Sequence, residues 1–367
     1  MSYFWEQPDW PNFSYSLKEI EPLLYQFAIE TGEISGILKT LPQDVQEASL
    51  LDIMLSEAIK TSEIEGEFLS RQDVMSSIRN NLGLNEVHDP VRDAKAGGVG
   101  QLMVQVRKYY SEPLSVNMLW EWHILLLGHT HRIRVGQWRK GEAPMQIISG
   151  SIGKEKVHFE APPSQSVPAE MERFIKWFND TAPNGADPIH SAPVRAAIAH
   201  LYFETIHPFE DGNGRIGRVI AEKALSQTLG RPVMMSLSRT IEADRKSYYA
   251  GLEKAQRSHE ISDWIQYFAE IVLSAQQDSK QQIDFTLKKT QLFDIHKTQL
   301  NERQTTVLQK MLEAGPVGFE GGMSAQKYIA ITKTSKATAT RDLQDLVVLG
   351  IFRADGGGRS VRYWVVI

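Results

Sequence analysis

Apolar positions early in the chain recur at helical spacing. Ile20, Leu23, Leu24, Phe27 and Ile34 mark one amphipathic helix, behind an aromatic, proline-rich opening with Trp5, Pro8, Trp10, Pro11 and Phe13. Leu51, Met54, Leu55, Ala58 and Ile59 mark a second helix. Pro42 suits its first turn, Asp44 and Glu47 follow at its positive end, and Gly66 is a stop. Residues 91–129 read as two more helices, the second carrying Leu119, His123, Leu126 and Leu127. The pattern then changes. Over 135–163 the apolar runs are short and broken by glycine, and Gln146 to Phe159 reads as a hairpin turning around Ser149-Gly150 and Ile152-Gly153. Helical patterns resume from Pro168 to Leu300. Within them, Ala192 to Ile206 is apolar almost all round, which predicts a buried helix. Pro208 ends it, because the residue before a proline is pushed out of the helical region. A further helix is expected from Asn213 or Gly214 through Val219, Ile220, Ala224 and Leu225 to Leu229, stopped by Gly230 and Pro232.

From about 299 the order is three helices and then two short strands around a glycine turn, the order of a winged helix-turn-helix. Thr334 or Ser335 caps a helix that runs to Leu349 and carries Lys336, Thr338, Thr340 and Arg341 in its first turns, with Arg359 and Arg362 on the wing. Such a helix suits a DNA major groove, but it equally suits protein contacts, and this stretch has only nine Lys and Arg against six Asp and Glu.

Composition narrows the classes. At 367 residues the chain has room for two or three domains. Its net charge of −5 argues against whole-chain binding to nucleic acid or membrane. It has no cysteine, so neither disulfides nor thiolate chemistry enter. No apolar run approaches the ~18 residues of a membrane span, and the start lacks a basic segment followed by an apolar one, so a cytoplasmic location is expected.

The chemistry concentrates in HPFEDGNGRIGR, His207 to Arg218. Gly212-Asn213-Gly214 falls at a helix start, where backbone N–H groups and the helix dipole form an anion site. Arg215 and Arg218 share a face and suit a polyphosphate. Asp211 is a hard oxygen ligand suited to Mg2+ bridging phosphates, and His207 suits a general base. The stretch formally contains G-x-G-x-x-G, but the element before it is helical, which argues against a dinucleotide fold. A polar turn between helices is the competing reading.

The twelve residues match the signature of the Fic-domain family, H-P-F-x-[DE]-G-N-G-R-x-x-R, at every defined position, and the likeness runs over about 115–275, including DRKSYYAGLEKAQ. The resemblance implies a mainly α fold, a Fic-type helical core with a β-hairpin flap, followed by the C-terminal winged helix-turn-helix domain. It implies AMPylation, the transfer of AMP from ATP to a protein hydroxyl with release of pyrophosphate. It makes His207 the base and Asp211 the ligand of Mg2+. Gly212, Asn213 and Gly214 become the nest, and Arg215 and Arg218 the phosphate grips. Phe209 becomes packing under the loop. Tyr248 and Gln256 take the adenosine-pocket positions, with glutamine where relatives often have asparagine. Thr61 to Gly66 resembles the family's inhibitory motif [S/T]-x-x-x-E-[G/N], which implies that Glu65, rather than Glu63 or Glu67, pairs with Arg218. The flap, Gln146 to Phe159, implies a target protein held by strand pairing. DNA through the winged helix and a second copy of the chain are further partner expectations. The expected division is 1–90 as an N-terminal helical region with the inhibitory helix, 91–275 as the Fic core, 276–298 as a helical linker and 299–367 as the winged helix. A hydrolase that removes AMP, and a nucleotide-sensing DNA-binding regulator, are the alternative functions.

Overall fold

The computed structural model describes residues 3–149, 156–357 and 360–367. Its helices and strands follow the apolar periodicity closely. The first helices are α1 (Glu21–Thr40), α2 (Gln43–Ile64), α3 (Arg71–Leu82), α4 (Ala94–Lys108) and α5 (Val116–Leu127). Ser70, Asp93 and Ser115 cap the last three by accepting from backbone amides of their first turns. Strands β1 (Gln146–Ser149) and β2 (Lys156–Glu160) pair antiparallel, with Ile148 opposite Val157 and a register shift between Ile147 and Ile148. The expected turn residues Gly150, Ile152 and Gly153 lie outside the described residues, as does Arg359. Then follow α6 (Val167–Asp180), α7 (Ala192–Ile206), α8 (Asn213–Leu229), α9 (Leu237–Ala243), α10 (Arg245–Ala255) and the long α11 (Ser262–His296).

The chain separates into two compact units, one formed by Met1–Ser35 with Leu50–Gln277, the other by Gly36–Ser49 with Asp278–Ile367. The core of the first is built around α7, every residue of which is buried. That burial includes Arg195, whose guanidinium donates to the Phe178 carbonyl at 2.7 Å, to Gln227 Oε1 at 2.9 Å and to the Ala224 carbonyl at 3.1 Å. A buried arginine needs this many acceptors to be tolerated. Helix α8 packs along α7, and a Cβ at its Gly217 would overlap the Glu204 carboxyl. The two helices thereby hold the loop 207–212 between them.

The second unit contains α12 (Glu302–Leu312), α13 (Ala325–Thr332), α14 (Lys336–Val348) and the antiparallel pair β3 (Phe352–Asp355) and β4 (Arg362–Val365). Its own core includes Val307, Leu308, Tyr328, Leu343, Leu346 and Phe352. Asp342 ties three elements, accepting from Arg303 at 2.8 Å and from the Tyr328 hydroxyl at 2.9 Å. Ser335 caps α14, and Lys336 and Arg341 are exposed on it.

Candidate active site

Helix α7 stops where proline demands it, and the residue that absorbs the reversal is His207, held in the left-handed region at φ 49°. Its carbonyl accepts from Arg139 Nε at 2.7 Å, and the Pro208 carbonyl accepts from the Arg139 amide at 2.8 Å, so one residue pins both sides of the bend. Asn213 closes the loop, its Oδ1 accepting from the Phe209 amide and its Nδ2 donating to the Phe209 carbonyl, both at 2.9 Å. Phe209 is fully buried and stacks on His123 from α5, ring centroids 4.0 Å apart. The His123 Nδ1 accepts from the Gly136 amide at 2.9 Å, which leaves Nε2–H to donate to the Asp211 carbonyl at 3.1 Å. Burial lowers the His123 pKa to about 4, in keeping with that neutral, doubly engaged ring.

Gly212 takes φ 80° as the N-cap of α8, a conformation that suits glycine. The two arginines of the loop are not open to solvent. Arg218 is buried, and its Nε donates to Thr61 Oγ1 at 2.8 Å, its Nη2 to the Thr61 carbonyl at 3.0 Å and to Glu65 Oε1 at 2.7 Å. Burial works against the Arg218 charge, but Glu65 beside it outweighs that and raises its pKa above the ordinary arginine value. The Glu65 carboxylate also presses on the start of α8, where a Cβ added to Gly214 would overlap it. A carboxylate therefore sits beside the first turn of this helix.

Arg215 is buried too, paired with Glu67, which in turn binds Lys95 of α4 at 2.8 Å. Asp211 lies outside this pair, 3.9 Å from Arg215 Nη2. Its side chain is 60% exposed, and its Oδ1 accepts from the Gly212 amide at 2.6 Å. Tyr248 is buried with its hydroxyl hydrogen-bonded to His200 Nε2 at 2.6 Å, and Gln256 Nε2 donates to the Glu204 carbonyl at 3.3 Å. Burial lowers the His207 pKa to about 4, the Arg139 charge adding to the effect, so the imidazole is neutral near pH 7.

The structure thus gathers His207, Asp211, Gly212, Asn213, Gly214, Arg215, Arg218 and Glu65 around one helix start. It places Tyr248 and Gln256 against the buried side of α7. Sequence reading passed over Thr61 as a ligand of Arg218, Glu67 and Lys95 as the partners of Arg215, His123 as the support of the loop, and Arg139 as its clamp. Glu67, two residues beyond Glu65, was the one with a signal: a second acid in a turn set against two arginines. His123 looked like a member of an apolar stripe, and the structure gives it that stacking role together with two hydrogen bonds.

A model of the Fic/DOC family matches residues 113–225, and a model of a domain of unknown function (DUF4172) matches residues 3–84. The protein adenylyltransferase Fic of Nematostella vectensis is 27% identical over 159 residues, 43% of this chain and 32% of that protein. The protein adenylyltransferase fic-1 of Caenorhabditis elegans is 27% identical over 158 residues, 43% of this chain and 27% of that protein. The match spans about a third or less of the length of these relatives. Among solved structures, a Fic family protein from Desulfovibrio desulfuricans superposes with a TM-score of 0.53 at 19% identity, covering 97% of this chain and 98% of that one. A Fic domain containing signaling protein from Bacteroides thetaiotaomicron gives 0.52 at 19% identity, over 72% of this chain and 96% of that one. At this identity the likeness speaks for the fold: mainly helical, with Fic structures as neighbours. The loop that carries the signature, the family model over the helices that hold it and the shared fold agree, and the chain carries a Fic/DOC family domain at residues 113–225.

Proposed function

We propose that this chain transfers AMP from ATP to a hydroxyl of a target protein and that Glu65 holds the reaction off. The observation that carries the reading is the Glu65 carboxylate set against the first turn of α8 and bonded to Arg218 at 2.7 Å, a resident anion on an arginine suited to phosphate. Removing it leaves the buried Arg218 guanidinium without its charged partner beside the start of α8. In the transfer, the hydroxyl oxygen attacks the α-phosphorus as the bond to the β-phosphate oxygen breaks. The hydroxyl proton passes to His207 and pyrophosphate leaves. Such reactions depend mostly on positioning and charge neutralisation, which the nest and Arg218 supply.

Mg2+ fits here. The ion prefers one or two carboxylates completed by substrate phosphates and water, and Asp211 offers a largely exposed carboxylate at the edge of the nest. Asp211 would hold it, and its chemistry would be to neutralise phosphate charge. Arg215, paired with Glu67, steadies the loop, and Glu67 through Lys95 ties the inhibitory turn to α4. For the target, the hairpin offers Ile148 and Val157, exposed and opposite one another, as a surface for a segment added by backbone pairing.

The test is incorporation of label from ATP labelled at the α-phosphate, in a lysate given either the wild-type chain or Glu65→Gly. The variant is expected to label proteins well above wild type. A variant that transfers nothing to any protein, itself included, while still binding ATP contradicts the reading. Free AMP released from a modified protein, with no transfer from ATP, would favour the hydrolase instead.

A further inference from the structure

Beside His207, α7, α8 and α10 enclose a group that the reaction above leaves unused. Glu204 lies one helical turn before His207 and is buried. Its Oε2 stands 3.7 Å from His207 Nδ1. Glu204 Oε1 and His207 Nδ1 are both buried with no well-aligned hydrogen bond, and the Glu204 backbone carbonyl also lies within reach of the imidazole and favours its charged form. A buried polar atom left without a partner costs on the order of 1–3 kcal/mol; the approach to Nδ1 is made by Oε2, while the unpartnered Oε1 lies against Gly217. The placement is not loose. Gly217 gives the carboxyl its seat, since any Cβ there would overlap Oε1, and Gln256 holds the Glu204 carbonyl at 3.3 Å. Arg139 holds the His207 carbonyl at 2.7 Å, which fixes the backbone from which the imidazole projects. The ring keeps 12% of its side-chain surface exposed while Nδ1 stays buried, so the accessible edge is the other one.

We propose that Glu204 is a positioning residue for His207: its carboxyl stands behind Nδ1, holds the proton there, and leaves Nε2 with its lone pair toward the reacting hydroxyl. The inference rests on His207 being the base in the function proposed above. Its logic is that of any carboxylate behind a catalytic imidazole, which fixes the tautomer and stabilises the imidazolium once the proton arrives.

Other charges bear on the pair. Arg218 from α8, Glu65 from the turn after α2, Tyr248 and Tyr249 from α10 and His200 from α7 face the carboxyl, and both Arg139 and Glu65 act on the imidazole. Burial raises the Glu204 pKa to about 8, Arg218 pulling it down and Glu65 pushing it up. The acid is therefore mostly protonated at pH 7 with Glu65 in place. The competent pair, a carboxylate beside Nδ1–H, forms as Glu204 loses its proton, and the two groups titrate together.

The experiment uses the full chain in the Glu65→Gly background, with Glu204→Gln, nearly the same shape without an ionisable proton, and Glu204→Asp. Two readouts are followed across pH 5–9: the ring nitrogen shifts of His207 by 15N NMR, assigned against His207→Ala, and kcat/KM for transfer from ATP. The parent is expected to show a His207 inflection at or somewhat below pH 8, with a rate limb at the same pH. In Glu204→Gln that inflection disappears, the limb moves at least ~1 unit toward acid, the size of one close charge, and the plateau falls by roughly tenfold or more. Glu204→Asp retains the inflection. Loss of the inflection supports the placement of Glu204 whether or not any transfer is seen, so a failure of the transfer reading is told apart from a failure of this one. An unchanged inflection in Glu204→Gln, rate profiles that superimpose after scaling, or Glu204→Asp behaving as Glu204→Gln would overturn the proposal.

Discussion

Glu65→Gly perturbs the latch at one of its three bonds. Arg218 loses the 2.7 Å contact to Oε1 but keeps Thr61 Oγ1 at 2.8 Å and the Thr61 carbonyl at 3.0 Å. A hydrogen bond to a charged group contributes about 1.5–3 kcal/mol. The Glu65 side chain is 29% exposed, so solvent takes part of that and the lower end, about 1.5 kcal/mol, applies. Two consequences follow from that figure. Without nucleotide the variant melts lower by ~3–6 °C, at 2–4 °C per kcal/mol for a unit of this size. With nucleotide the same energy no longer opposes the phosphates, so productive ATP affinity rises by roughly tenfold. Thermal melts of wild type and variant across an ATP–Mg2+ series read both at once, since the ligand-induced rise in Tm tracks affinity. The reasoning is refuted if the variant melts no lower without nucleotide and gains no more from ATP than wild type does.

Other outcomes follow from neighbouring contacts. Gly214→Ala unseats Glu65 by overlap yet leaves the chain inactive, because the same Cβ fills the nest; placed in the Glu65→Gly background it still blocks transfer, whereas an active double variant would mean that Gly214 serves Glu65 alone. His123→Ala loses the stack on Phe209 and the bond to the Asp211 carbonyl, and is expected to cost about 2–4 kcal/mol and to lower kcat more than it raises KM. Glu67→Gln frees Arg215 from its charged partner and should lower Tm by several degrees, the melt of Lys95→Ala falling in the same direction by less. Burial raises Glu204 and Glu222 to about 8, so the folded state holds their protons more tightly and stability is lost as pH rises from about 4.5 to 8. Burial lowers His123, His200 and His207 to about 4, so stability is lost as pH falls from 6.5 to about 4, where the unfolded chain takes up those three protons. The Tm of this unit, followed by circular dichroism from pH 4 to 8, is therefore expected to peak near the crossover at about pH 6.5, and a flat or monotonic profile would contradict the assignments.

Much of the fold is local and therefore legible. The proline after His207, the glycine before Asn213 and the all-round apolar run of Ala192 to Ile206 each act within a few residues, and each defines the element expected of it. The loop residues were legible for a similar reason, since their chemistry and spacing lie in one short segment. What stayed hidden is tertiary. Arg215 and Arg218 read as free phosphate grips, and only the fold shows them buried against Glu67, Thr61 and Glu65, some 150 residues away in the chain. Asn213 read as part of an amide nest, yet its side chain works as the staple of the loop. Glu204 left a trace, a carboxyl within a helix that is apolar on all sides, but what it faces depends on how α8 packs and on a glycine 13 positions later.

The central claim is AMP transfer by His207 with Glu65 as the restraint. It is tested most directly by giving Glu65→Gly, and the same chain carrying His207→Ala as well, ATP labelled at either the α- or the γ-phosphate. The account predicts protein-bound label from the α position alone, matched by release of pyrophosphate, and none when His207 is replaced. Label retained from the γ position, or α-label undiminished without His207, would contradict it.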